Sequence, residues 1–179
     1  LLALASPVAS EDFQKGLAAA QAGEYTKALQ EWTPLAEAGH SGSQYLLGLA
    51  YNQGVGIPID NIEAMKWFKL AAQQGYAAAQ FSAGNGYMAG QGVPQDYTEA
   101  AKWYRLAADQ GLADAQNNLG TVYEYGRGVL QDNVMAHMWY NIASANGHDK
   151  AGGYRDGRAG LMTRADISKA QAMARECMS

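Results

Sequence analysis

The stretch GVPQDYTEAAKWYRLAADQG, residues 92–111, has a close copy at the same distance on either side. Thirty-six residues earlier the chain reads GIPIDNIEAMKWFKLAAQQG, and thirty-six residues later GVLQDNVMAHMWYNIASANG. Residues 41–76, 77–112 and 113–148 align without a gap, and ten columns hold one residue in all three copies. These are Gln44/Gln80/Gln116, Gly48/Gly84/Gly120, Tyr51/Tyr87/Tyr123, Gly54/Gly90/Gly126, Gly56/Gly92/Gly128, Asp60/Asp96/Asp132, Ala64/Ala100/Ala136, Trp67/Trp103/Trp139, Ala71/Ala107/Ala143 and Gly75/Gly111/Gly147. A period of roughly 20 to 50 residues belongs to arrays in which no unit can bury its apolar face alone and each stacks on its neighbours.

The first half of a unit, as in SGSQYLLGLAYNQG, places Tyr45, Leu47, Gly48 and Tyr51 on one helical surface. This is helix A of the unit. A mid-helix Gly costs up to about 1 kcal/mol against Ala, so the column Gly48/Gly84/Gly120 predicts the close approach of a neighbouring helix. Paired glycines then end helix A, and Pro58 or Pro94 keeps it from continuing. Asp60, Asp96 and Asp132 are placed to cap helix B, with Glu63 and Glu99 three residues on as capping-box partners and Met135 breaking the box in the third copy. Along helix B, the Trp column and the alanines predict interlocking core contacts, and Gly75 closes the helix.

Residues 11–40 are a looser relative with a shorter turn, read as the helix hairpin that begins the stack. In residues 149–179 the pattern stops. Thr163 and Asp166 mark a helix start there, and Ile167, Ala170, Ala174 and Cys177 fall on one face, which predicts a capping helix with Cys177 packed inside. The opening LLALASPVAS, residues 1–10, reads as a signal-peptide remnant or a disordered leader, with cleavage near Ala9 or Ser10 and a periplasmic or secreted product. No run approaches the roughly 18 to 20 apolar residues of a membrane helix, so no membrane insertion is expected.

The chain is 48% hydrophobic with a net charge of −4, which supports a buried core and speaks against nucleic acid as a partner. Its single cysteine excludes an internal disulfide and a thiol-based metal site. GNGYMAGQG, residues 84–92, is glycine-rich but follows a helix rather than the strand that a dinucleotide fingerprint needs. His40, His137 and His148 sit in columns that do not recur, and no helical metal pair is formed. With no nucleophile beside a base, the expectation is no catalytic residue, no metal and no cofactor, a hydrolase with an unrecognised site being the least favoured class.

The succession Leu-Gly-x-x-Tyr, Gly-x-Gly-Val, Asp, Ala, Trp-Tyr, Ala-Ala and closing Gly, clearest in NLGTVYEYGRGVLQDNVMAHMWYNIASANG, resembles the Sel-one-like repeat family of the tetratricopeptide superfamily. The resemblance covers 41–148 closely and 11–40 loosely. Ala83 stands where Leu is usual, Leu130 where Pro is usual, and Gly86 adds a glycine that predicts an irregular helix over 82–90. The resemblance implies an all-α, right-handed superhelical solenoid of about four hairpins with a C-terminal capping helix.

It also implies a monomeric, non-catalytic scaffold that binds another protein on its concave face, as an exported envelope adaptor or regulator. The alternative it implies is a periplasmic immunity protein neutralising a secreted phospholipase-type effector. Helix-A positions carried over from tetratricopeptide arrays as groove-facing are Tyr45, Leu49, Asn52 and Gln53, then Phe81, Asn85, Met88 and Ala89, then Asn117, Thr121, Glu124 and Tyr125. Tyr45 and Phe81, one period apart, are either a binding patch or rings packed on adjoining helices.

Overall fold

The structure, a computed structural model, describes residues 7–178, with side-chain surroundings from residue 10 onward. Those residues form ten helices and no strand: α1 (Pro7–Gln21), α2 (Tyr25–Glu37), α3 (Ser41–Gln53), α4 (Asn61–Gln73), α5 (Ala77–Ala89), α6 (Tyr97–Asp109), α7 (Ala113–Tyr125), α8 (Asn133–Ala145), α9 (Ala151–Ala159) and α10 (Arg164–Met178). Each repeat is one pair, with helix A and helix B of 13 residues each. The first six residues of the leader lie outside the described residues, and α1 takes in its remainder from Pro7. The chain divides into two compact units, Leu1–Gly86 with Gly90–Pro94, and Tyr87–Ala89 with Gln95–Ser179, called units 1 and 2 below.

In both units an aromatic ring of helix B rests on the mid-helix glycine of helix A. A Cβ on Gly48 would lie 2.5 Å from the Phe68 ring, and one on Gly120 would lie 2.7 Å from the Tyr140 ring. The neighbour that demands glycine is thus a ring, not a helix backbone. The same latch recurs between Gly16 and Trp32 in the first hairpin, across its shorter turn. Phe68, Tyr104 and Tyr140 are buried, whereas Trp67 and Trp103, one residue earlier, are only half-buried and Trp139 alone of that column is buried. The core ring therefore occupies the column after the recurrent Trp, whose identity changes between copies.

The turn from helix A to helix B repeats its bonding in all three copies. Asp60 Oδ1 accepts from the backbone N–H groups of Ile62 and Glu63, Asp96 from Thr98 and Glu99, and Asp132 from Val134 and Met135. The reciprocal half of the expected capping box is absent. The N–H of Asp60 donates instead to the Tyr51 carbonyl at 2.9 Å, with the same bond at Asp96 to Tyr87 and Asp132 to Tyr123. Glu63 and Glu99 are consequently free to pair with Lys66 and Lys102 one turn on. The second loop glycine, Gly92, has φ +73° and backs onto the first residue of α4, where a Cβ would fall 1.9 Å from the Asn61 carbonyl oxygen.

Between one helix B and the next helix A, the recurrent glutamine acts as a clasp. The buried Gln44, Gln80 and Gln116 donate from Nε2 to the carbonyls of Ala36, Ala72 and Ala108 at 3.0, 3.2 and 3.0 Å. The side-chain oxygen of Gln44 accepts from Gln74, and that of Gln116 accepts from Asn146. A buried amide satisfied at both ends gains about 0.5–1.5 kcal/mol per bond and fixes the junction. The ten-column pattern contained this glutamine, but no helix-capping or packing rule singled it out.

Three further differences follow. Despite Gly84 and Gly86, α5 is unbroken through Ala89. Beyond residue 148 the chain forms two helices, not one: Ala151 is fully buried, as are Ala79 and Ala115 at 36-residue intervals before it, so α9 continues the helix-A register. On α10, Thr163 caps as expected, donating to Asp166 and accepting its N–H, and Ala170 and Ala174 are buried. Cys177 is exposed, contrary to the packed role expected from its place on that stripe.

Candidate functional site

Helix-A residues of unit 1 open onto a cleft of about 170 Å³ between α3, α4 and α5. Leu49, Ala64, Met65 and Phe68 form its apolar wall, and Asn52, Asn61, Ser82, Asn85 and Gln91 supply its polar groups. No ionisable side chain lines it. Asn52 donates from Nδ2 to Asn61 Oδ1 at 3.1 Å. Gly86 lines the cleft as well, and the absence of a side chain there keeps the space open.

Three of the positions carried over as groove-facing, Leu49, Asn52 and Asn85, meet in this cleft. Tyr45 does not stand free: its half-buried ring lies 6.0 Å from the Phe68 ring and 5.1 Å from that of Tyr76. Burial first, and the neighbouring Tyr76 second, raise its hydroxyl pKa, which a bond with Ser82 lowers in part. This is the packed alternative of the two readings of that ring. Phe81 is half-buried, and Gln53 and Ala89 are exposed.

In unit 2 the columns 72 residues later hold a different assembly. Tyr140 OH donates to Glu124 Oε2 at 2.6 Å and lies 3.1 Å from Thr121 Oγ1. Arg158 of α9 reaches the Glu124 carboxylate at 3.0 Å and Asn133 Oδ1 at 3.4 Å, while the Tyr154 ring lies tilted against that of Tyr140, 5.5 Å between centres. Burial above all, with the Glu124 bond next, pushes the Tyr140 pKa well up. Thr121 and Glu124 are therefore consumed by an internal network. Asn117 is half-buried with a buried Oδ1 that has no partner, Met88 is half-buried with its carbonyl accepting from Gln95, and Tyr125 is exposed under the Arg127 guanidinium, 5.4 Å from its ring centre.

A second concavity in unit 2 was not visible in the repeat pattern. Arg105, Gln116, Trp139, Asn146, Cys177 and Met178 border about 600 Å³, where α10 ends beside α6 and α8. Arg105 stacks 4.8 Å from the Trp139 ring and donates to Tyr123 OH at 2.6 Å, so its charge is held by aromatic neighbours. Its signal in sequence was a cation in the column where the other copies have Lys69 and Asn141, which marks a variable surface position and no more. Among the described residues no helix is long and apolar enough to cross a membrane.

Known proteins place this architecture. The Sel1 repeat family profile matches residues 41–76, 77–112 and 113–148, the three copies found by alignment of the chain with itself. A Sel1 repeat protein from Oxalobacter formigenes is similar at 32% identity and a TM-score of 0.74, over 78% of this chain and 57% of that one. The protective antigen c5321 of uropathogenic Escherichia coli strains, which displays an SLR fold, is similar at 29% identity and a TM-score of 0.67, over 95% of this chain and 45% of that one. The chain thus spans about half the length of these two relatives. Cysteine rich protein B of Helicobacter pylori shares the fold at 20% identity and a TM-score of 0.59, over 72% of this chain and 95% of that one. No curated protein matches the chain in sequence. Repeats of this kind generally mediate protein–protein interaction and are typically non-catalytic. With three matched copies covering residues 41–148, the chain belongs to the Sel1 repeat family.

Proposed function

We propose that the chain is a non-catalytic scaffold that binds one partner protein through the helix-A side of its repeats, and that unit 1 carries the principal contact. The observation behind this reading is the cleft of Leu49, Asn52 and Asn85, which is open, neutral and bordered by both apolar and hydrogen-bonding groups. Concave sites with an apolar body and a few placed polar groups are where binding energy concentrates. The equivalent groups of unit 2 already satisfy one another.

The test places a photo-crosslinking residue at Asn85 and, as a control, at Lys66, an exposed residue of α4 outside the cleft. Expected is one protein cross-linked from 85 and not from 66 in the native organism, which then binds the purified chain in direct titration. Equal labelling from both positions, or no binding by the purified protein, overturns the reading. The partner's identity separates an envelope regulator from an immunity role. Export remains part of the proposal on the strength of LLALASPVAS, and fractionation with N-terminal sequencing checks it, a cytosolic product with the leader intact being the contrary result.

A further inference from the structure

Units 1 and 2 each hold a version of one cleft. Seventy-two residues separate Leu49 from Thr121, Asn52 from Glu124, Asn61 from Asn133, Phe68 from Tyr140, Ser82 from Tyr154 and Gly86 from Arg158. In unit 2 the space is taken by the chain itself, since the Arg158 guanidinium sits against Glu124 and Asn133. In unit 1 the ring that Tyr154 contributes is supplied from the other side by Tyr45, packed on Phe68 and bonded to Ser82. Nothing replaces Arg158, because its column holds Gly86. The open volume of unit 1 is therefore the place of one long side chain with a planar, hydrogen-bonding head.

The chemistry of that head follows from Asn52. Where Glu124 offers a carboxylate, Asn52 offers a neutral amide, one of whose two Nδ2 hydrogens is donated to Asn61 Oδ1. What this pair still presents is an acceptor, Asn52 Oδ1, and an N–H donor on each amide, beside the polar side chains of Ser82, Asn85 and Gln91 that also line the cleft. A guanidinium brought here would lose part of its hydration and meet no anion to offset that loss. A carboxamide carries one acceptor and two donors on a plane, and no charge, so it matches both the acceptor and the donors presented there. We infer that the unit 1 cleft receives a carboxamide side chain, Gln or Asn, from a partner polypeptide, in the place that Arg158 fills in unit 2. This inference rests on the scaffold reading for its occupant being a partner's, not for the chemistry of the cleft.

Small probes report that chemistry directly. Propionamide and ethylguanidinium are titrated into the ¹⁵N-labelled full chain, and the side-chain amide signals of Asn52 and Asn61 are followed, those of Asn61 alone in Asn52→Glu. Expected is a preference for propionamide of at least about fivefold, reversed in Asn52→Glu, which recreates the carboxylate of unit 2. Gly86→Arg should abolish binding of propionamide by filling the space in cis. A Cβ at this position comes within 2.7 Å of the Met65 sulfur, on a flexible side chain; the Asn52→Glu arm decides the question if that variant does not fold. Ethylguanidinium bound as well as propionamide by the native chain, or an order of preference unmoved by Asn52→Glu, overturns the inference. An identified partner that binds folded Gly86→Arg as tightly as the native chain also overturns it, while leaving the scaffold reading standing. Selective propionamide binding with no partner cross-linked from position 85 does the reverse.

Discussion

Unit 1 keeps open what unit 2 closes. The two sites share their geometry, since in both a helix-B ring lies on a helix-A glycine, Phe68 on Gly48 and Tyr140 on Gly120. They differ in whether polar groups at the mouth are satisfied from within. Unit 2 joins Thr121, Tyr140 and Glu124 by direct bonds and sets Arg158 on Glu124 and Asn133, whereas unit 1 pairs Asn52 with Asn61 and leaves a space. The difference teaches that the recurring columns decide how the helices stack, and the columns beside them decide whether a given unit is a surface or an interior.

The largest effects expected from this comparison lie at the buried rings. Trp139→Ala should cost roughly 3–5 kcal/mol as a large-to-small change in a packed core, and Trp67→Ala, half-buried in the same column of unit 1, clearly less. Denaturant unfolding of the two variants measures both, and equal losses would show that the units are not distinguished at this column. Next comes Arg158→Met, which strands the Glu124 carboxylate, only 12% exposed at its side chain. A loss of about 2–3 kcal/mol is expected, just below the range of about 3–5 for a fully buried pair because Arg158 keeps partial exposure. Asn52→Ala in unit 1 should cost about 0.5–1.5 kcal/mol, the worth of one neutral bond. The double variant Glu124→Asn with Arg158→Gly should recover most of the Arg158→Met loss and open a cleft in unit 2; recovery of less than half would show that the network stabilises α9 beyond the ion pair.

The smallest effect is one of pH. His137 is buried in unit 2, where unit 1 has Met65, and burial first, with Arg155 second, lowers its pKa below the usual 6.5. Its folded form resists protonation, so the unfolded chain binds more protons at mildly acidic pH. The stabilisation is complete above pH of about 6.5 and is lost as pH falls from there through the lowered folded pKa. Melting temperatures between neutral and mildly acidic pH should therefore decline less steeply for His137→Met than for the native chain. An unchanged slope would place the acid sensitivity elsewhere.

Much of the fold was readable because the evidence for it repeats three times in columns whose roles are local. An Asp at the start of a helix B or a Gly at the end of a helix A means the same thing wherever it stands, and both read correctly. The glycine at 48 and 120 was legible as a demand for closeness, but not as a seat for a ring, since the ring sits in a column that varies as Phe68, Tyr104 and Tyr140. Glu63 and Glu99 misled because the N–H that a capping box would offer each carboxylate is already bonded to the Tyr51 or Tyr87 carbonyl, so each pairs with a lysine one turn on. α9 was hidden by Gly152, Gly153 and Gly157, whose low helix propensity is overridden by packing on α8. The cleft was only half legible: Leu49, Asn52 and Asn85 were marked by their places on helix A. What leaves the space open is the change from Arg158 to Gly86, invisible until the register of α9 is known.

The glutamine clasp has a consequence for how such a chain can be rearranged. Because the glutamine of each copy donates to a backbone carbonyl eight residues back, which any residue supplies, any copy offers the main fitting that any other copy requires. Copies are in that sense interchangeable parts with a standard thread, and one could be duplicated or deleted as a block of 36 residues without redesign of the joint. The junction into α9 is cut differently. Its column holds Gly152, near Ser144 and without a side chain to reach back, so that hairpin is a fitted end piece rather than another link.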